Sequence, residues 1–459
     1  MIIKFYRSGL LAFSLITILL TLISKEEIPK NLVFLPMTFL ILIILVPSFT
    51  KYIDKYIGIA IVNLTMFIRY LISPFLMTFY GTNMYRGQLL SLDTLEKSVY
   101  LMIFEMVVIF LCFAIFHKFF YTTVETETLT QKANTSNFVN LLVLLFIFGI
   151  ILLYPESLSR YAFVWSFGEL KDKTVEGIEY SSILTIVQLG HLMLLIIVIN
   201  YLYLLYKKNK NINYLIISII FILVSSSFIV GTSRFSIILP LTTGFYTLYK
   251  FYKPFRKLLI NISVISILSM IILSTALKKL SLKSDTIQLS IGERLNTELQ
   301  LYFSGVANVG HALQTRILYE PYNFESVLSD LMRSVVFLNS FFTSNQDSFE
   351  AFNLLFYAGG PSRDQILPLI GQGYLYFGVF FAPIFSALVI VIIMFFDKKI
   401  KNNNNIFYSF ILIYVCVKFA LFNMGNMTIL ISFATNYFLP LLVIYKINNF
   451  FQIKVRNRA

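Results

Sequence analysis

Apolar stretches long enough to cross a hydrocarbon layer of about 30 Å recur from one end of this chain to the other. They lie near 8–24, 31–49, 57–79, 98–116, 138–154, 181–205, 212–230, 236–252, 258–277, 374–396, 406–423 and 427–445. No soluble domain tolerates that pattern, because each stretch would need its own covering layer of polar protein. The balance of residues agrees, with 58% hydrophobic and 13% charged. The expected fold is therefore an all-α polytopic integral membrane protein of about twelve transmembrane helices.

The first stretch follows Lys4 and Arg7, as a signal peptide would, but "TLISKEEIPK" has no small-x-small cleavage site and is expected to remain as a span. Cys112 and Cys416 fall inside expected spans, with no spacing that suggests a metal site or disulfide framework. Basic residues set the topology. Clusters such as Lys207, Lys208 and Lys210, then Lys250, Lys253, Arg256 and Lys257, then Lys398, Lys399 and Lys401 share one side. That side is expected to be cytoplasmic and to hold both termini. The net charge of +14 is then mostly a topology signal and requires no nucleic-acid partner.

One outward loop stands apart. Residues 278–371 separate nine spans (1–277) from the last three and a cytoplasmic tail (372–459), and they carry an apolar periodicity of their own. The expectation is a large extracytoplasmic loop of two or three helices lying on the membrane surface. Wound as a single helix, "GERLNTELQLYFSGVANVGHALQTRIL" (292–318) puts Leu295, Leu299, Phe303, Val306, Leu313 and Ile317 on one stripe. Arg294, Glu298, Gly305, Ala312 and Arg316 fall opposite, with His311 beside them. In "YAGGPSRDQILPLIGQGYLYFG" (357–378), Ser362 and Gln365 have capping-box spacing, which predicts a short helix with Arg363 at its N-terminus.

"GTSRFS" (231–236) reads as the outward turn between spans seven and eight, with Ser233 as a helix cap and Arg234 in the first turn. Free N–H groups beside a guanidinium make an anion site; the plainer alternative is an arginine anchored to lipid headgroups. Arg160, Arg294, Arg316, Arg333 and Arg363 share that face. Converging guanidinium forks suit the oxygens of a diphosphate, here one carried by a polyprenyl lipid approached from the outer leaflet. Arg69 and Glu105 sit at matched depth on neighbouring spans, where a structural ion pair is favoured over a role on substrate. A hydroxyl attacking an anomeric carbon needs a base; His311 is the histidine of the long loop, with Glu298, Glu293 and Asp364 as carboxylate alternatives. No metal-ligand pattern, Walker loop or nucleophile elbow occurs, so neither metal nor cofactor is expected.

This layout resembles the Wzy-type oligosaccharide repeat-unit polymerases of bacterial O-antigen and capsule synthesis. The likeness is carried by the many spans, the large late outward loop, "GTSRFS" and "GPSRDQILPLIGQGYLYFG". Arg294 and Gly305 also match an Arg, ten residues, Gly pattern found in outward loops of some members, whereas Arg160 has no glycine at that distance. The resemblance implies block transfer of a growing polymer from undecaprenyl diphosphate to the non-reducing end of a new lipid-linked unit, with membrane lipids and a chain-length-regulating co-polymerase as partners. It further implies that Arg234, Arg294 and Arg363 bind the donor diphosphate and that His311 or Glu298 assists deprotonation. Arg316 and Arg333 would hold the second diphosphate or the glycan. Rival readings are an O-antigen-ligase-like transferase and a lipid-oligosaccharide flippase; against the flippase, charge gathers on one face rather than along a central cavity.

Overall fold

The computed structural model describes residues 2–24, 26–82, 84, 86–121, 138–155, 157–158, 164–165, 178–228, 234–281, 290–319, 324–336, 338, 341–342, 347–360 and 362–456. Helices account for all regular structure among them. In chain order they begin with α1 (Ile2–Ile23), α2 (Phe34–Leu45), α3 (Ile57–Tyr80, with a π-turn at Ile68–Ile72) and α4 (Leu92–Tyr121). There follow α5 (Phe138–Leu153), α6 (Ile178–Asn209), α7 (Asn213–Ser227), α8 (Arg234–Phe251) and α9 (Arg256–Ser281). The long loop contributes α10 (Ile291–Tyr302), α11 (Val306–Thr315), α12 (Phe324–Met332) and α13 (Ser348–Phe356). The chain closes with α14 (Leu369–Phe381), α15 (Ile384–Lys401), α16 (Ile406–Ala420), α17 (Met427–Phe433) and, through a second π-turn, α18 (Leu439–Arg456).

This is an all-helical membrane protein. Each of the twelve expected stretches contains helix, but only six helices among the described residues are long and apolar enough to span, or seven if one bent pair counts once. α2, α5, α7 and α16 are shorter apolar helices. The bent pair corrects the tenth expected span: 374–396 is not one rod but α14 and α15, set at 109°. Gly378 takes φ +74 at the bend, a conformation that costs a residue with a Cβ, and Gly373 lies against the Ala382 carbonyl. Pro383 removes the N–H that a continuous helix would use there.

Two compact units form, each made of several chain segments. The first joins Met1–Val124, Thr286–Lys401 and Lys418–Ser432; the second joins Glu125–Asp285, Asn402–Val417 and Phe433–Ala459. From Thr286 onward the long loop belongs to the same unit as the first four helices. Within the second unit, polar bonds link apolar helices: Tyr437 donates to Gln188 Oε1 at 2.7 Å, and His191 shares a 2.7 Å bond with Ser225. Within the first, Asp397 of α15 accepts from the backbone N–H groups of Gly58 and Ile59 at 2.8 and 3.0 Å. A carboxylate from the far end of the chain thereby satisfies the free donors at the start of α3.

The loop departs furthest from expectation. Residues 292–318 are two helices, broken where Ser304 takes φ +51 and Gly305 opens α11, so Arg294 and Gly305 do not share a helical face. The inner side of α10 is polar. Asn296, Thr297 and Gln300 are buried while Leu295 is 47% exposed. Asn296 donates to the Gly81 carbonyl and Gln300 to Ser73 Oγ, so α10 spends its polar face on α3. Where the surroundings are lipid, a helix profits by turning polar groups into the protein and leucines outward.

Candidate functional site

The α10–α11 hairpin is the frame of the site. α10 starts at Tyr80, against which Gly292 packs so closely that a Cβ would collide, and it ends at Arg69. Arg69 lies eleven residues from the end of α3, roughly 16 Å along it at 1.5 Å per residue. There its Nε donates to the Ser304 carbonyl at 2.9 Å and its Nη1 to Asn423 Oδ1 at 2.7 Å. Its remaining nitrogen pairs with Glu105 at 2.8 Å, and both side chains are shut off from solvent. Glu105 in turn accepts from Ser386 of α15 at 2.5 Å. The structure brings the two intramembrane charges together, and their joint work is to hold the tip of the hairpin.

Above that tip is a small cleft of about 40 Å³ lined by Arg86, Leu301, Tyr302, Ser304, Asp364, Gln365, Ile366 and Met424. Arg86 pairs with Asp364 at 2.9 Å and donates to the Tyr357 hydroxyl at 2.7 Å; the phenol also hydrogen-bonds the Asp364 carboxylate. Burial, and then the bond to Asp364, push the Tyr357 pKa up to about 12, so the phenol keeps its proton. Asp364 is 56% exposed and Arg86 28%, leaving both within reach of a ligand. Arg363 adjoins them, with one nitrogen turned back on the carbonyls of Gly360 and Ser362. No helix forms at Ser362–Gln365, contrary to the capping-box reading. Asn353 clamps Gln365 instead, accepting from its N–H at 3.0 Å and donating to its carbonyl at 3.0 Å, which holds the segment extended until α14 starts after Pro368.

A second opening runs along the start of α4. It is a crevice of about 510 Å³ lined by Thr94, Lys97, Tyr100, Leu101, Phe104, Leu313, Gln314, Ile317, Tyr374 and Val379. Arg316 is exposed at its edge, with its guanidinium 5.4 Å from the Tyr374 ring centre. Lys97 in the lining is held by Asp93 at 2.6 Å.

His311 does not lie on a polar face. It is fully buried, its ring 4.7 Å from that of Phe356, and neither nitrogen has a hydrogen-bond partner among the described residues. Burial pulls its pKa down to about 4, so it is a neutral packing residue rather than an outward-facing base. Arg333 is already engaged, by Asp330 at 3.3 Å and by the Asp347 carboxylate. Asp330 is itself buried and accepts from Tyr376 at 2.5 Å, so this arginine completes a structural network. Glu293 closes a capping box with Ser290 at the start of α10, which holds its carboxyl below the usual range. Arg294 and Glu298 are half-buried on α10. α8 starts at Arg234, but that side chain lies outside the described residues, as do Gly231, Ser233 and Arg160.

Arg86 and Tyr357 escaped the sequence reading, because Arg86 counts only as a loop charge until folding sets it against Asp364. Among the described residues no three His, Cys, Asp or Glu side chains gather as a metal site. Comparison with family models, with curated proteins and with solved structures finds no match.

Proposed function

We propose that the chain polymerises undecaprenyl-diphosphate-linked oligosaccharide units by block transfer, on the extracytoplasmic side of a bacterial cytoplasmic membrane. The observation that carries this reading is the convergence of Arg86, Tyr357 and Asp364 over the hairpin tip, with Arg363 next to Asp364 in sequence. Two guanidinium groups suit the leaving diphosphate and one exposed carboxylate suits the attacking hydroxyl. The acceptor oxygen bonds to the donor's anomeric carbon and its proton passes to Asp364. The anomeric C–O bond to diphosphate breaks, and undecaprenyl diphosphate departs as an anion against Arg86 and Arg363. The leaving group supplies the driving force, so no nucleotide or metal has a part in the step.

Within this reading Asp364 takes the role first considered for His311 and Glu298, and Arg316 keeps that of the second diphosphate. The lipid-linked material in a deletion strain tests it. Accumulation of a single repeat unit supports a polymerase. Long chains that stay unligated would instead establish the ligase-like reading, and units trapped on the cytoplasmic leaflet a flippase.

A further inference from the structure

The crevice along α4 has a shape and a charge of its own. We propose that it seats the lipid chain of the incoming acceptor unit, with that lipid's diphosphate on Arg316 and α11 as the spacer that brings the unit's far end to Asp364. The inference rests on the reading above for the class of lipid and adds where the acceptor sits.

The lining decides the occupant. Leu101, Phe104, Leu313, Ile317 and Val379 make it apolar, and from Thr94 to Phe104 it follows α4 for about 15 Å. Ile317 is 80% exposed and Val379 62%, so a chain enters from the side. The volume of about 510 Å³ takes about 17 carbon-sized groups if each fills roughly the 30 Å³ of a liquid water. That is one isoprenoid chain over its first three to four units and too little for both chains of a diacyl lipid. At the edge, the exposed Arg316 is stacked on Tyr374, and Lys97 lines the same crevice, paired with Asp93. An apolar slot with an exposed guanidinium at its edge complements a chain that ends in a diphosphate.

The spacing assigns this lipid to the acceptor. Asn308, in the first turn of α11, donates to the Ile366 carbonyl and meets the Gln365 amide, which places the beginning of α11 beside the Asp364 segment. Arg316 caps its other end. Eight residues separate Asn308 from Arg316, about 12 Å of helix. A donor's anomeric carbon is bonded directly to its own diphosphate and cannot react so far from it. An acceptor carries its attacking hydroxyl at the far end of a short oligosaccharide, which fits that distance.

Binding of geranylgeranyl diphosphate and geranyl diphosphate to the full-length protein in phosphatidylcholine nanodiscs tests the placement. The expected result is saturable binding of the twenty-carbon probe, at least tenfold weaker in Arg316→Ala and lost in Gln314→Trp, with the ten-carbon probe at least a hundredfold weaker. Arg316→Ala is exposed and keeps the test valid if the tryptophan variant does not fold. Binding indifferent to chain length, unchanged in Arg316→Ala, or displaced by equimolar phosphatidylglycerol overturns the proposal. If the probe binds as expected but deletion leaves polymer length unchanged, the polymerase reading fails and the lipid seat stands. The reverse result removes the seat and keeps the polymerase.

Discussion

Arg69 and Glu105 meet at 2.8 Å with no exposure to solvent, and each reaches past the other to a distant part of the chain. Arg69 holds the Ser304 carbonyl and Asn423, while Glu105 holds Ser386. One ion pair thus ties the π-turn of α3, the tip of the α10–α11 hairpin, the turn before α17 and the start of α15. Burying two charges is costly, and here the cost is offset by hydrogen bonds from two guanidinium nitrogens while the third faces the Glu105 carboxylate.

Removing one partner leaves the other charge stranded, so Arg69→Ala is expected to lower stability by about 3–5 kcal/mol. Glu105→Gln keeps an acceptor for Ser386 but strands the buried Arg69 charge, which cannot shed its proton, so its cost is expected in the same range of about 3–5 kcal/mol. Heating the protein in detergent with a thiol-reactive fluorophore checks this, since Cys416 is buried and reports unfolding. A melting temperature equal to the parent's in either variant would contradict the assignment.

His311 predicts a dependence on acid. Its ring stays neutral in the folded protein because burial lowers its pKa from 6.5 to about 4, whereas the unfolded chain takes up the proton near 6.5. Its contribution is therefore full above pH 6.5 and is lost as pH falls toward 4, by about 3 kcal/mol. His311→Leu should flatten the difference in stability between pH 7 and pH 4.5 and should still yield polymer at normal protein abundance. Loss of polymer in an abundant, stable His311→Leu protein would restore the histidine to catalysis.

The Arg86, Tyr357 and Asp364 cluster is partly exposed, so its ion pair is worth at most about 1 kcal/mol of stability. Its effect on transfer should be far larger. Asp364→Asn keeps the shape and removes the proton acceptor, and the expected outcome is a loss of at least about 100-fold in rate at unchanged melting temperature. Arg86→Ala and Arg363→Ala should weaken the use of donor, read as a higher requirement for lipid-linked substrate. Full-length polymer from Asp364→Asn would exclude this carboxylate as the base.

Hydropathy located a helix at every apolar stretch, because lipid-facing surface demands the same residues whatever they pack against. Six of those helices are long and apolar enough to span among the described residues, or seven with the bent pair, while α2, α5, α7 and α16 satisfy the composition in fewer residues. The matched depth of Arg69 and Glu105 was legible because two charges in an apolar run need each other. The buried face of α10 was not legible, because an apolar stripe points inward in water and outward in lipid, and periodicity alone does not distinguish them. Arg86 and Tyr357 were invisible because 271 residues separate them in sequence. The extended run at Gln365 depends on the Asn353 side chain, a contact that no local spacing encodes.

The bend between α14 and α15 shapes the edge of the crevice, since Tyr374 and Val379 lie on α14 just before it. A Cβ on Gly373 would stand 2.0 Å from the Ala382 carbonyl, closer than any real contact. Gly373→Ala must therefore open the bend or move backbone, and a cost of about 1–3 kcal/mol is expected, as for an overpacked core. Gly359 offers the contrast. It takes φ +78 with nothing near its missing Cβ, so Gly359→Ala pays only for conformation, about 1 kcal/mol. If the bend matters because it places Tyr374 behind Arg316, the first substitution impairs transfer beyond its effect on stability and the second does not. Melting temperatures and polymer yield for the two variants, compared at equal abundance, decide the point.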